Sequence, residues 1–255
     1  MKKSINSAFE TPEYFLKEEP YNGKHDFFYT SKNYPTIVEL ENNWKTIREE
    51  VLGLVTDEEL KQIKNLNPPY LSNPEGWKNI YFYNFGWKKH KNCARFPKTH
   101  QLLMKVPNLI FAGITVLEPK SRVLPHNGET NTTIRCHLGL KIPAPLPVCG
   151  VRVGNEEQSW EEGKVMMFSD AHYHTTWNES DERRFVLVFD IVRPEYAHDK
   201  KWVCAKCLGA LTLKYFYAKH SKIKDLPYGI LTIFHNILSA IWFLYLPFQQ
   251  KFKLP

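Results

Sequence analysis

Leu124-Pro125-His126-Asn127-Gly128, Ile134-Arg135-Cys136-His137-Leu138-Gly139-Leu140, Phe168-Ser169-Asp170-Ala171-His172-Tyr173-His174 and Arg184-Phe185-Val186-Leu187-Val188-Phe189-Asp190 follow one another within residues 124–194. The apolar runs are short and rich in β-branched residues, which reads as strands. His126 and His174 sit about fifty residues apart, each at the edge of such a run. A neutral imidazole is a good ligand for iron, zinc or copper. Arg135 and Arg184 lie inside strand-like segments, where a guanidinium requires a carboxylate or a bound anion. The pattern is that of a metal site beside an anion site. Arg183, next to Arg184, falls on the opposite strand face and is expected in solvent.

Working outward, strands are expected at residues 77–87, 109–117, 132–142, 148–153, 158–161, 164–168 and 184–192, separated by turn clusters. Ahead of them, Val38, Leu40, Trp44, Ile47, Val51 and Leu54 form one apolar helical face. Thr56 and Glu59 make a capping box for a second helix over residues 56–65, stopped by Pro68-Pro69. A further short helix is expected at residues 100–106. Helices before a run of short strands indicate an α+β, mainly β chain, a sandwich or barrel buttressed by N-terminal helices. The chain divides into an N-terminal arm (1–34), a central domain (35–198) and a basic, hydrophobic C-terminal tail (199–255).

The formal charge of +7 suits an anionic partner, but no nucleic-acid-binding signature accompanies it, so no nucleic acid is expected. An odd count of five cysteines argues for reduced thiols. Cys204 and Cys207 form a CxxC that lacks the second pair a zinc site wants. Residues 1–10 carry no secretory signal, which makes a cytoplasmic location the expectation. Residues 228–246 hold no charged side chain, yet Thr232, His235, Asn236 and Ser239 interrupt them and lysines flank them. A bilayer span, an in-plane anchor and a helix packed on the domain all remain open.

The spaced motifs resemble the aspartyl/asparaginyl β-hydroxylase family of Fe(II)/2-oxoglutarate dioxygenases over residues 35–195. The segments carrying the resemblance include Thr130-Asn131, Ser159-Trp160-Glu161-Glu162-Gly163-Lys164, His174-Thr175-Thr176-Trp177-Asn178 and the run from Arg184 to Pro194. It implies a double-stranded β-helix, the cupin-like jelly roll. His126 and His174 would ligate Fe(II). Arg184 would pair with the distal carboxylate of 2-oxoglutarate, with help from the Thr115 hydroxyl. Arg135 and His137, two residues apart on one strand face, would contact the cosubstrate, and Trp77 would lie near it. The implied reaction uses O₂, releases succinate and CO₂, and hydroxylates an unactivated C–H.

One departure from the wider superfamily matters. Its facial triad reads His-x-Asp/Glu, and His126-Asn127-Gly128 puts a side-chain-less residue at the third place. The expectation is iron held by two histidines without a carboxylate, with Glu129 and Asp170 as alternatives that could reach inward. His172 would share a strand face with His174, as a neighbour rather than a ligand. Asn127-Gly128 looks closer to the branch that hydroxylates the β-carbon of Asp or Asn in peptides and proteins. The tail suits the branch that hydroxylates lipid acyl chains at a membrane. The reading leans to the peptide branch, with membrane association through residues 228–246 kept open. An inactive binding module of the same fold is the third alternative.

Overall fold

The computed structural model describes residues 10–63, 71–73 and 75–253. The Pro68-Pro69 stop and the first nine residues of the arm lie outside them. The strands are β1 (Phe28–Tyr29), β2 (Trp77–Asn84), β3 (Trp87–Lys88), β4 (Leu109–Leu117), β5 (Ser121–His126), β6 (Thr133–Lys141), β7 (Cys149–Val153), β8 (Glu156–Gln158), β9 (Val165–Phe168), β10 (His174–Asn178) and β11 (Arg184–Val192). The helices are α1 (Pro35–Asn42), α2 (Trp44–Leu54), α3 (Asp57–Gln62), α4 (His90–Arg95), α5 (Pro97–Leu103), α6 (Lys200–Lys219) and α7 (Tyr228–Phe252).

Seven strands form one sheet in the order β1-β9-β6-β11-β4-β2-β3, and four form a second in the order β5-β10-β7-β8. Every pairing is antiparallel. The sheets face each other as a double-stranded β-helix. Strand β11 shows how the period-2 pattern divides the core. Leu187, Phe189 and Ile191 join Ile114, Leu138 and the helix residues Ile37, Leu40, Ile47 and Val51 in the core under the helical layer. Val186 and Val188, on the other face, meet Val151 and Val153 of the smaller sheet inside the sandwich. The interior face is therefore the one that carries Arg184, Thr115, Arg135 and His137.

Local chemistry explains most differences from the sequence reading. The first helix is broken at Asn43, whose side-chain amide donates to the Glu39 carbonyl at 2.8 Å and competes with the helical ladder. Thr56 caps α3 as expected, its hydroxyl accepting from the Glu59 amide at 3.2 Å. The 77–87 strand is a hairpin: Phe85 (φ 46°) and Gly86 (φ 80°) form a two-residue turn that needs two positive φ angles. The helix expected at 100–106 starts earlier, at Pro97, where a missing N–H does no harm. The strand expected at 158–161 is displaced to β8, and α4 and β5 stand where no element was expected.

The tail is a helical hairpin, α6 packed antiparallel against α7. Gly209 lets the helices touch, because a Cβ there would collide with Ser239. Val203, Cys204, Cys207, Leu208 and Leu246 form a second core with Phe85, Ile110 and Val192 at the sheet end. Cys204 and Cys207 are thus packing residues. All five cysteines are free and buried.

Candidate active site

β5 and β10 pair so that His126 and His174 face each other directly. Their ring centroids are 4.3 Å apart. Each ring is oriented by the backbone carbonyl two residues before it: His126 Nδ1 to Leu124 at 2.8 Å and His174 Nδ1 to His172 at 3.0 Å. A carbonyl can only accept, so both Nδ1 atoms carry the proton and both Nε2 atoms carry the lone pair. Burial drives both pKa values down, His174 well below the ordinary histidine range, so both rings are neutral. Two neutral, tautomer-locked imidazoles side by side suit a divalent transition metal.

From this pair a continuous set of side chains runs to a buried charge. Phe168 touches His174 at 5.5 Å and His137 at 5.0 Å. His137 stacks on Trp160 with an interplanar angle of 10°, and Trp160 Nε1 donates to His137 Nδ1 at 3.2 Å. Indole is only a donor, so His137 must hold its proton on Nε2. Burial, then the Arg184 charge, keeps this ring neutral. Arg184 lies over the other part of Trp160, 4.6 Å from the ring centroid. It is 1% exposed, and among the described residues its Nε and Nη1 have no hydrogen-bond partner. Burial lowers its pKa to about 10, which leaves it charged at neutral pH. A buried guanidinium with two donors left over has the chemistry to receive a carboxylate.

The other expected residues divide into those on this surface and those engaged elsewhere. Leu117 pairs with both Arg184 and Trp77, and Thr115 pairs with both Val186 and Asn79, so Thr115 sits on the strand next to Arg184 and Trp77 one strand further out. Trp77 packs with Leu71, Leu117 and Val123 at the sheet margin. The Thr115 hydroxyl donates to Asn79 Oδ1 at 2.9 Å, so a donor role toward a bound carboxylate would require that bond to swing.

Arg135 lies on the expected strand face, and its guanidinium grips Asp190 bidentately at 3.0 and 2.8 Å and reaches Asp170 at 3.0 Å. Unlike Arg184, it meets its counter-charge within the protein.

The two alternatives for a third ligand are ion-paired in this structure. Asp170 is held by Arg135, and Glu129 pairs with Lys214 at 3.6 Å. Among the described residues no group of three or more His, Cys, Asp or Glu is placed to hold a metal. Gly128 is required by packing, because a Cβ there would collide with the Asp170 carboxylate. His172 precedes β10 in a turn and does not share a strand face with His174. Its ring packs on Phe27 and Tyr21, and its Nε2 meets the His25 carbonyl at 2.8 Å. Arg183 faces away as expected but is ion-paired with Glu118 at 2.8 Å and with Asp57.

The loop after His126 is strapped by the N-terminal arm. Asn127 donates to the Glu19 carbonyl, Thr130 to that of Glu13 and Asn131 to that of Thr11, while the Phe15 amide donates to the Glu129 carbonyl. These polar motif residues therefore fix the loop that carries His126.

The sequence profile of the aspartyl/asparaginyl β-hydroxylase family matches residues 41–194, more than half of the chain. The chain belongs to that family. It is similar to the ornithine lipid ester-linked acyl 2-hydroxylase of Rhizobium tropici, 32% identical over 65% of this chain and 60% of the relative. It is equally similar to human aspartyl/asparaginyl β-hydroxylase, 32% identical over 71% of this chain and 23% of the relative. Human aspartate β-hydroxylase domain-containing protein 2 is 33% identical over 73% of this chain and 49% of its own length. The chain thus spans 60% of one of these relatives and less than half of the other two. Trp160, Asn79 and Asp190, which contact Arg184 and His137, Thr115 and Arg135 respectively, are neighbours to which sequence reasoning gave no role. The available signal was a lone Asp in the apolar run Arg184–Val192, on the same strand face as Arg184.

Proposed function

We propose that this family member is an Fe(II)- and 2-oxoglutarate-dependent hydroxylase. The observation that carries the proposal is Arg184, a buried guanidinium held on Trp160 with unmet donors, joined by a continuous wall of side chains to a tautomer-locked histidine pair. His126 and His174 would hold the iron through Nε2. Bound iron, with 2-oxoglutarate and O₂, supplies the oxidising power: decarboxylation to succinate and CO₂ leaves one oxygen atom for a substrate C–H. The chain's own residues bind and orient. Arg184 takes the distal carboxylate in a bidentate grip, and the His137 Nε2–H is a second donor aimed from the same Trp160 platform. Phe168, Val186 and Val188 are buried and apolar, which keeps water out and strengthens both contacts.

Two substrate classes follow from the relatives: the β-carbon of Asp or Asn in a peptide, and a lipid acyl chain. The structure tilts the balance toward the acyl chain. Asn127, which leaned the sequence reading toward peptides, is held by the arm at 3.0 Å. Helix α7 is long and apolar enough to cross a membrane, and little of it is buried in the protein.

Purified protein loaded anaerobically with Fe(II) and 2-oxoglutarate should form succinate on exposure to O₂. It should add one oxygen to an acyl-lipid pool rather than to Asp/Asn peptides, read by mass. His174→Ala should abolish succinate formation. Unchanged turnover in that variant would refute the assignment.

A further inference from the structure

Helix α7 is inside out for a helix packed on a water-soluble domain. The face turned toward the protein carries His235, Ser239 and Gln249 alongside Leu231 and Leu246. These polar groups are satisfied internally. His235 Nε2 meets the Lys206 carbonyl at 2.9 Å, and Ser239 donates to the His235 carbonyl at 2.6 Å. The Gln249 amide brackets the Lys88 backbone, accepting from its N–H at 3.1 Å and donating to its carbonyl at 2.8 Å. The outer face carries Ile230, Ile233, Phe234, Ile237, Ile241, Leu244 and Phe248, all exposed, with Leu244 at 68%. Their spacing of three and four residues makes one unbroken stripe along the helix.

We propose that this stripe is an in-plane docking surface for an anionic lipid bilayer, with α7 lying along the interface and not crossing it. The charge around the stripe favours an anionic lipid surface over a second copy of this basic chain. Residues 199–253 hold nine lysines against two aspartates. Lys201 lies 3.7 Å from the Phe243 ring centroid, beside the Trp202–Phe243 ring pair. Lys219, Lys222 and Lys224 stand before α7, and Lys251 and Lys253 at its end. Aromatic rings and lysines around an apolar stripe are the composition of an interfacial helix.

The in-plane orientation follows from where α7 is tied. Leu231 packs with Leu16, Ala210 and Leu213 near one end, and Gln249 is bonded to Lys88 near the other. Leu16 of the arm at one end and Lys88 of the domain at the other thus hold α7 on one side of any membrane. A spanning hairpin would also carry Lys206 and Lys214, midway along α6, into hydrocarbon. The surface lies close to the candidate active site. The arm that straps the loop after His126 sends Leu16 into the contact between α6 and α7, and Lys214 of α6 pairs with Glu129 of that loop. Docking rests on the membrane reading given above but not on the oxygenase chemistry, because vesicle binding needs neither iron nor turnover.

The test is sedimentation of the full chain with phosphatidylcholine vesicles, with and without phosphatidylglycerol. The expected result is binding at least about tenfold tighter to the anionic vesicles, with release by an alkaline carbonate wash. The double variant Ile237→Glu, Leu244→Glu should lose about a hundredfold or more in partitioning, with an unchanged melting temperature because neither side chain is buried in the protein. The gentler Ile237→Ser, Leu244→Ser pair should show the same direction if the charged variant fails to fold. Wild-type protein that ignores anionic vesicles, or that self-associates through this stripe, would overturn docking. Protein that binds vesicles but resists carbonate extraction would overturn the in-plane orientation.

Discussion

The sandwich interior holds two arginines, Arg184 fully buried and Arg135 mostly so, whose surroundings are opposites. Arg135 on β6 faces Asp190 on β11 in register and adds Asp170, so one guanidinium sits among two carboxylates. Arg184, on β11 itself, meets no carboxylate among the described residues and rests on the ring of Trp160. Burial works against both charges. The two aspartates nevertheless hold the Arg135 pKa above the ordinary arginine range, while that of Arg184 falls to about 10. One arginine is thus closed into a structural ion pair, and the other keeps the donors that the proposed cosubstrate would need. Burial alone does not distinguish them; the partner does.

Removing the charge breaks this comparison in opposite directions. Arg135→Met strands Asp190 and Asp170 without a counter-charge, and loss of one partner of a buried pair costs about 3–5 kcal/mol. Denaturant unfolding should show this loss, with or without 2-oxoglutarate. Arg184→Met removes an unpaired buried charge, so the ligand-free variant should be more stable than the wild type by about 1–3 kcal/mol. It should also lose the thermal stabilisation that 2-oxoglutarate gives the wild type, its affinity falling roughly a hundredfold or more with two charge-assisted hydrogen bonds gone. Destabilisation of the ligand-free Arg184→Met protein would remove the distinction between the two arginines.

That distinction was only partly legible in the sequence. Alternation along β11 placed Arg184 on an interior face, and the same alternation placed Arg135 and His137 together. Each arginine's partner depends on long-range pairing that a local pattern does not encode. Asp190 lies across a ladder from Arg135, 55 residues away in sequence. The histidines behave alike: only the β5–β10 pairing joins them, and β5 went unread because Pro125 interrupts a run in which only Val123 and Leu124 are apolar. Helix α4 was missed because His-Lys-Asn-Cys-Ala-Arg carries no apolar period. The apolar composition of α7 was legible, but which face it buries was not, since that depends on α6 and β3. The N-terminal arm read as irregular, and its role as a strap appears only through its hydrogen bonds to the loop after His126.

The smallest expected effect concerns the surplus carboxylate around Arg135. Asp190 takes the bidentate grip, and Asp170, with Glu129 and Arg193 also nearby, is left with the weaker share. Burial, opposed by Arg135 and reinforced by Asp190, pushes its carboxyl up to about 7. The folded protein therefore holds a proton on Asp170 that the unfolded chain, with an ordinary carboxyl, has released. That contribution to stability is fully present below the unfolded carboxyl range and is lost as pH rises through about 7, amounting to about 1 kcal/mol between about pH 6 and pH 8. The buried histidines act in the other direction. His137 and His174 are neutral in the fold and protonate on unfolding, so their contribution is present above the ordinary histidine pKa and lost as pH falls below it. Between about pH 6 and pH 8 the two effects oppose each other, so the ligand-free wild type should be nearly flat there and lose stability toward acid. Asp170→Asn keeps the shape and removes the titration, so its denaturation midpoint should rise from about pH 6 to about pH 8, where the wild type stays flat. If the variant's profile is as flat as that of the wild type, Asp170 is not the proton-holding group and the charge balance around Arg135 must be drawn differently.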